Sequence, residues 1–417
     1  MLFSFKKELV INYFYYSLGF IIPGVLSFLF IPFVMRSYGA GVYAQYSLIF
    51  NTLSTVSIFC YGWVGQSFIR FYSKEEAGLL GTVSKFLWKS LLAGSFFFSI
   101  LVFLITNISF ENFLLLIPSF FLAGYYSFFL LTCQAKQDAK RVAISEALRT
   151  MIIIGLPLFC YLFFSDEYAL KVLLISLFIS YLIPLMTVLK KDSGASYFFF
   201  NREEGEVFSV MEKKIKSYGI PVALFLSLSL ALSVNDRFII AKFLGYKDSG
   251  NYAALYDILN KGVAFSCSPV VMTFYPHIVK EYNAKNEQGA YISLAKAILM
   301  ELCIFLSGFI ILYFWGDVLL AFIFKNSVPP GFRQFLSIVY TAVFVWQIAM
   351  LVHKPLELRM KTKHLAIGVS IALIVNLVLN WVFISKYKDV SIAAYTTLGS
   401  SLLYIFYVAF FSLKRNV

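Results

Sequence analysis

Mostly apolar runs of about 20 residues, the length that crosses roughly 30 Å of hydrocarbon as a helix, recur twelve times along this chain. They lie at residues 10–34, 42–65, 83–106, 112–133, 142–164, 168–189, 220–243, 251–276, 291–314, 331–352, 365–385 and 391–413. No other feature restricts the fold so severely, because backbone inside a bilayer must satisfy its own hydrogen bonds as helices or as a closed barrel. The runs are continuous rather than about ten-residue stretches alternating in and out, so a β-barrel is excluded. An all-α polytopic membrane protein of twelve transmembrane helices is expected. Composition agrees: 60% hydrophobic residues, 14% charged residues and a mean hydropathy of +0.79 leave too little polar surface for a water-soluble globule.

Charge placement orients the bundle, since cytoplasmic loops collect Lys and Arg. With Lys6 and Lys7 inside, about 25 of the 35 basic residues fall on inner loops and helix ends and about 9 outside, while Lys261 lies within a span. The inner set includes Lys136, Lys140, Arg141, Lys190, Lys191, Lys213, Lys214, Lys216, Lys354, Arg359, Lys361, Lys363, Lys414 and Arg415. An even number of spans then puts both termini in the cytoplasm. The net charge of +13 reads as topology plus contact with anionic membrane lipids, and not as a nucleic-acid surface. All five cysteines fall within or at the end of apolar spans and are expected to act as small hydrophobes without disulfides. The first span is too long, and too rich in Pro and Tyr, for a cleaved signal peptide. The longest loop, 190–218, has no room for a soluble domain.

That loop divides the chain into an N-terminal six-helix lobe at 1–189, a cytoplasmic inter-lobe loop at 190–217 and a C-terminal six-helix lobe at 218–417. The two halves carry the same punctuation. Tyr43, Ala44, Ile49 and Asn51 match Tyr252, Ala253, Ile258 and Asn260 at constant offset, with a short insertion placing Gly39 on Gly245. Further along, Ala139-Lys140-Arg141-Val142-Ala143-Ile144 echoes Thr362-Lys363-His364-Leu365-Ala366-Ile367. The larger offset of the second echo calls for an insertion, which the amphipathic stretch 317–325 and Pro329-Pro330 could hold. Because each half has an even number of spans, the copies are parallel, with a site expected between them. Such glycines also mark tight turns in any helical hairpin, so turn chemistry stands as the alternative account.

The segment Asn235-Asp236-Arg237-Phe238-Ile239-Ile240…Leu244-Gly245…Ser249-Gly250-Asn251-Tyr252-Ala253 resembles the seventh-to-eighth helix signature of Wzx-type O-antigen and polysaccharide flippases. Asn376-Leu377-Val378-Leu379-Asn380…Ile384-Ser385-Lys386-Tyr387…Ile392-Ala393-Ala394 resembles their eleventh-to-twelfth helix pattern. Span count and basic loop positions extend the resemblance over essentially the whole chain. It implies the fold of the multidrug/oligosaccharidyl-lipid/polysaccharide (MOP) exporters, with two six-helix lobes around a central cavity. It also implies movement of a polyprenyl-diphosphate-linked oligosaccharide across the bacterial cytoplasmic membrane by alternating access. One departure is that the first helix has no charge between Lys7 and Arg36, whereas family cavities are often rich in cations.

A lipid-linked glycan can leave its tail in the bilayer, but its diphosphate and sugars need a wet, cationic shelter. Charged groups within spans are rare and costly, so each is a candidate. Lys261 lies about ten residues into the eighth helix, one turn from Asp257 and next to Asn260. Either it meets the diphosphate, helped by Asn260 and its repeat partner Asn51, or it pairs structurally with Asp257. Arg237 offers a planar fork suited to phosphate and is expected to face the cavity, with Asp236 as its orienting or interhelical partner. Glu301 is a midplane acid that either carries a proton or pairs with a neighbouring helix; proton and sodium both stay open as coupling ions. Arg36, Arg70, Lys89 and Arg149 lie near helix ends, where snorkelling to lipid phosphates is the ordinary use. Arg70 and Arg149 could also line the inner mouth. Asn376 and Asn380 are expected to make helix-packing hydrogen bonds. Pro23, Pro221 and Pro269 are expected to interrupt their helices.

Enzymatic readings lack support: no metal cluster or P-loop occurs, and His277, His353 and His364 all lie at span ends. No cofactor is expected. A glycan polymerase would be expected to carry a large outer loop, and is a candidate partner instead. A cation-coupled multidrug exporter and a lipid II flippase are the rival transporters. The first is disfavoured by the Asn235-Asp236-Arg237 pattern, the second by the uncharged first helix and the absence of two extra spans.

Overall fold

The computed structural model describes residues 7–72, 79–105, 109–136, 138–163, 168–189, 206–325, 327–359 and 361–413. Among these residues it is helical, with short turns and no strand. Helix α1 is Lys7–Ser37, and α2 joins Ala40–Ser57, a π-helical turn Ile58–Gly62 and Trp63–Phe71. Then follow α3 Leu79–Ile105, α4 Phe110–Ala135, α5 Ala139–Phe163, α6 Ala169–Leu189, α7 Glu206–Phe243 and α8 Tyr246–Asn283. The last four are α9 Glu287–Phe324, α10 Phe332–Val352, α11 Thr362–Tyr387 and α12 Ser391–Leu413, with a one-turn helix Lys354–Leu358 after α10. Eleven of these described helices are long and apolar enough to cross a membrane, and α1 adds the apolar stretch Ile21–Ser37. The chain is an all-α, multi-pass membrane protein with twelve long helices among the described residues.

Large apolar side chains point outward. Phe96 is 72% exposed, Phe103 71% and Phe406 70%, which fits only a surface solvated by hydrocarbon.

Contacts divide the chain into two compact units, Met1–Phe30 with Leu48–Ser227, and Ile31–Ser47 with Leu228–Val417. In the first, α5 packs on α6, α4 on α6, and the second half of α2 on α3 and α4. Its core is aromatic: Phe98 stacks on Phe120 at 5.3 Å, and Tyr61 meets Phe120 edge-on at 5.7 Å. In the second unit, α8, α9 and α10 pack on one another, and α12 packs on both α10 and α11.

The second unit contains both turns of the sequence repeat, and their backbones are twins. The Val34 carbonyl accepts from the N–H groups of Tyr38 and Gly39, and the Ile240 carbonyl accepts from those of Leu244 and Gly245. Each glycine takes a positive φ, +87° at Gly39 and +98° at Gly245, which a Cβ would disfavour. Each glycine carbonyl then accepts from the N–H four residues on, Tyr43 or Ser249, opening the next helix. Two helices that start directly after matched glycines leave no place for the insertion expected between Gly39 and Asn51. Counted from those glycines, Tyr43 corresponds to Ser249 and Asn51 to Asp257, not to Asn260. The second echo keeps its sequence register, since α5 and α11 begin at Ala139 and Thr362.

Other expectations change. The segment 317–325 is no separate amphipathic element; α9 runs on to Phe324, so extra residues lengthen a helix. The inter-lobe segment is helical from Glu206, while 190–205 lies outside the described residues. Helices continue through Pro23, Pro221 and Pro269, and the irregularity falls instead in the π-turn of α2. Lys6, Lys190, Lys191, Lys414 and Arg415 lie outside the described residues.

Candidate functional site

Asp236 and Arg237 sit six to seven residues before the end of α7, and Asp257 lies eleven residues into α8. The Gly245 turn folds α8 back beside α7, which brings Arg237 to Asp257. Nη2 donates to Asp257 Oδ1 at 2.6 Å, and Nη1 donates to Oδ2 at 3.1 Å. Nη1 also donates to Ser47 Oγ at 2.7 Å, and Tyr43 Oη donates to Asp257 Oδ2 at 2.6 Å. The guanidinium lies over the Tyr256 ring at 5.4 Å and is 1% exposed. Its Nε is the one donor without an acceptor, and that atom is inaccessible. A fork filled in this way cannot receive a phosphate.

Asp236 is fully buried beside this pair but serves a different network, because neighbouring residues on a helix point about 100° apart. It accepts from the hydroxyls of Tyr252 and Thr397 and from the Arg237 N–H. Thr397 in turn accepts from Asn376 at 3.4 Å, Asn380 donates to Asn376 at 2.8 Å, and Thr396 donates to Asn380 at 2.5 Å. A buried polar seam therefore runs through α7, α8, α11 and α12. Asn376 and Asn380, both fully buried, make the helix-packing bonds expected of them. The expected partnerships change. Arg237 is clamped by Asp257 rather than by Asp236. Lys261 is half-buried and Asn260 exposed, one turn further along α8. Asn51 is half-buried in α2.

The start of α2 closes the clamp. A Cβ on Gly250 would overlap the Ala40 carbonyl, so the absence of a side chain lets α8 meet α2 closely enough for Tyr43 and Ser47 to reach the ion pair. Arg36 is used locally as well. It donates to the carbonyls of Ala321 at 3.0 Å and of Phe322 in the last turn of α9. Protein carbonyls thus take the place of the expected lipid phosphates.

The first unit holds a second charged group. Arg149 is ten residues into α5 and not at its end, so the hydrocarbon must be spared its charge by local partners. Its Nη2 and Nε donate to Glu146 Oε2 at 2.9 and 3.3 Å, and Tyr126 Oη donates to Glu146 Oε1 at 2.9 Å. The Tyr126 and Tyr181 rings flank the guanidinium at 6.0 and 5.8 Å. The side chain stays 21% exposed, so this oriented cation still presents an edge. Arg70 is exposed in the last turn of α2, with its guanidinium over Tyr218 at 5.4 Å.

Sequence reading missed Glu146, although its place three residues before Arg149 on one helix face was available. It also missed a group around the one-turn helix. Glu357 there accepts from Tyr275 at 2.7 Å and pairs with Lys354 at 2.5 Å, and His353, three percent exposed, sits against Glu357 and Tyr404. Among the described residues no group of His, Cys, Asp and Glu could hold a metal ion.

A family model described as "Polysaccharide biosynthesis protein" matches residues 9–282. The structure is similar to that of the lipid II flippase MurJ in an inward closed conformation, with a TM-score of 0.66 and 13% identity over 95% of this chain and 86% of that one. It is also similar to a Vibrio cholerae MATE transporter, VcmN, at a TM-score of 0.65 and 14% identity, covering 97% of this chain and 95% of that one. A MOP superfamily transporter from Pyrococcus furiosus matches at a TM-score of 0.60 and 13% identity, over 98% and 96% of the two chains. At such identities the likeness is one of fold. No curated protein matches the chain.

Proposed function

The chain belongs to the polysaccharide biosynthesis protein family, and from that premise we propose that it is a flippase for a polyprenyl-diphosphate-linked oligosaccharide. It would carry the unit from the inner to the outer leaflet of a bacterial cytoplasmic membrane, with its termini in the cytoplasm, by alternating access. The observation that carries this reading is the family match over most of a twelve-helix chain whose fold is that of MOP transporters, among them a flippase of another lipid-linked substrate. Family and fold point to transport rather than to catalysis.

Cations held within the membrane-spanning helices support an anionic cargo. Lys261 in α8 and Arg149 in α5 are half-buried, and Arg70 is exposed. Each retains surface on which a diphosphate or an acidic sugar could rest, with Asn260, next to Lys261, and Asn51 in α2 as neutral donors. Arg237 is assigned differently, as the clamp that fixes α7, α8 and the start of α2. Membrane lipids surround the protein, and a glycan polymerase would receive the product. Replacing Lys261 with Ala is expected to abolish glycan export in a complementation assay at normal membrane levels. Full export by that variant would remove Lys261 from the substrate path.

A further inference from the structure

In the second unit, α7 and α11 end side by side, and lysines collect there. Lys242 lies in the last turn of α7, Lys386 in the last turn of α11 and Lys388 just beyond it, all exposed. This is the end of α11 opposite to Lys361 and Lys363. Aromatic faces hold the ammonium groups: Lys242 Nζ stands over the Trp381 ring at 4.3 Å, and Lys388 Nζ over the Phe243 ring at 5.1 Å. Phe243 meets Trp381 edge-on at 5.0 Å, so these two rings fix both cations at one place. Among the described residues none of the three lysines has a carboxylate partner. Asp389, next to Lys388, turns its oxygens to the N–H and hydroxyl of Ser391. Each helix end offsets only about half a charge, so the patch stays cationic.

Trp381 also lines an apolar groove of about 500 Å³ between the two helices. Phe238 and Ile239 form its wall on α7, and Leu377, Val378 and Val382 its wall on α11. The polar member is Asn235, whose Nδ2 donates to the Ala231 and Leu232 carbonyls of its own helix and so offers nothing to a headgroup. Val378 is 54% exposed and Val382 48%, which opens the groove to the surrounding bilayer. From Leu377 to Lys386, α11 rises about 14 Å, close to half of a hydrocarbon core of roughly 30 Å. The occupant must therefore join an anion to a chain of one leaflet's depth. A soluble anion would leave the groove unfilled, and a zwitterionic lipid would bring a cation of its own to the lysines.

We propose that this groove, with Lys242 and Lys388, binds one anionic phospholipid. Its acyl chain lies between Phe238 and Val378, and its phosphate rests on the two ammonium groups, which act as point charges. With the termini in the cytoplasm, the lipid belongs to the outer leaflet. It is a resident of the fold and not a cargo, so the site does not depend on the flippase reading.

The purified full-length chain in a non-ionic detergent is titrated separately with phosphatidylglycerol, phosphatidylethanolamine and a polyprenyl phosphate, and bound lipid is counted by native mass spectrometry. The first phosphatidylglycerol is expected to bind more tightly than either of the others. The variant Lys242→Gln with Lys388→Gln should weaken it about fivefold for each lysine removed and leave phosphatidylethanolamine unchanged. Val378→Trp, a change on the lipid-facing surface, should weaken it by filling the groove while the lysines remain. Lys361→Gln with Lys363→Gln, at the other end of α11, should leave it as in wild type. All variants are checked for monodispersity, and the exposed lysines can be replaced without disturbing the core. Equal affinity for the two phospholipids, wild-type binding by the Lys242 and Lys388 variant, or an equal loss in the Lys361 and Lys363 variant overturns the proposal. Tighter binding of the polyprenyl phosphate overturns it as well and makes the groove part of a cargo path. The titration measures no export, so its failure leaves the flippase reading intact.

Discussion

Replacing Asp257 with Leu should cost the second unit about 3–5 kcal/mol, because it strands a guanidinium that is 1% exposed. Arg237 would keep one acceptor, the Ser47 hydroxyl, and the face of Tyr256. Removing the charge as well, in the double variant Arg237→Met with Asp257→Leu, eliminates the stranded cation. The hydroxyls of Tyr43 and Ser47 then each lose one hydrogen bond, at about 1 kcal/mol each. The double variant should therefore sit about 2 kcal/mol below wild type and above the single variant, the coupling expected of residues in contact. The measurement is a double-mutant cycle from reversible unfolding of the purified protein in mixed micelles, followed by helical circular dichroism. A single-variant loss under about 1 kcal/mol, or a double variant no more stable than the single, would refute the buried pair. Export by the folded double variant adds a second test. Retained export fits a clamp, whereas lost export with an intact fold would return Arg237 to the substrate path that its sequence position first suggested.

Gly39→Ala and Gly245→Ala should each lose about 1–2 kcal/mol in the same unfolding assay, and by similar amounts, since both force a Cβ into positive φ. Gly250→Val should be worse than either. Its side chain would push α8 from Ala40 and loosen the Tyr43 and Ser47 contacts, which fluorescence-detected size exclusion would show as reduced monodispersity. Asn380→Leu should cost only about 0.6–1.7 kcal/mol, the range for interhelical hydrogen bonds in lipid, although it removes the middle link between Asn376 and Thr396. Glu146→Gln should lower export more than stability, because the Tyr126 hydrogen bond can persist while Arg149 loses its orienting charge.

The sequence by itself determined the solvent, the fold class and the family. Twelve apolar runs leave the backbone only helices to form, and that constraint needs no knowledge of which helix meets which. The paired glycines were also readable, because a positive φ is a local property that sequence writes down directly. Tertiary structure decided the partnerships. Asp257 has Lys261 one turn away on its own helix, and from the sequence that local pair looked natural. The fold instead turns Asp257 toward α7, where Arg237 answers both of its oxygens and the start of α2 adds two hydroxyls. Arg36 and Arg149 followed the same pattern, expected at lipid headgroups and found on protein carbonyls and a carboxylate. The physical reason is that a charge in hydrocarbon must be answered within about 3 Å. Which group lies that close depends on how whole helices cross, and not on their spacing along the chain. Glu301 marks the limit of sequence reading: its position showed an acid near the midplane, and only the packing of α8, α9 and α10 revealed that it is fully buried.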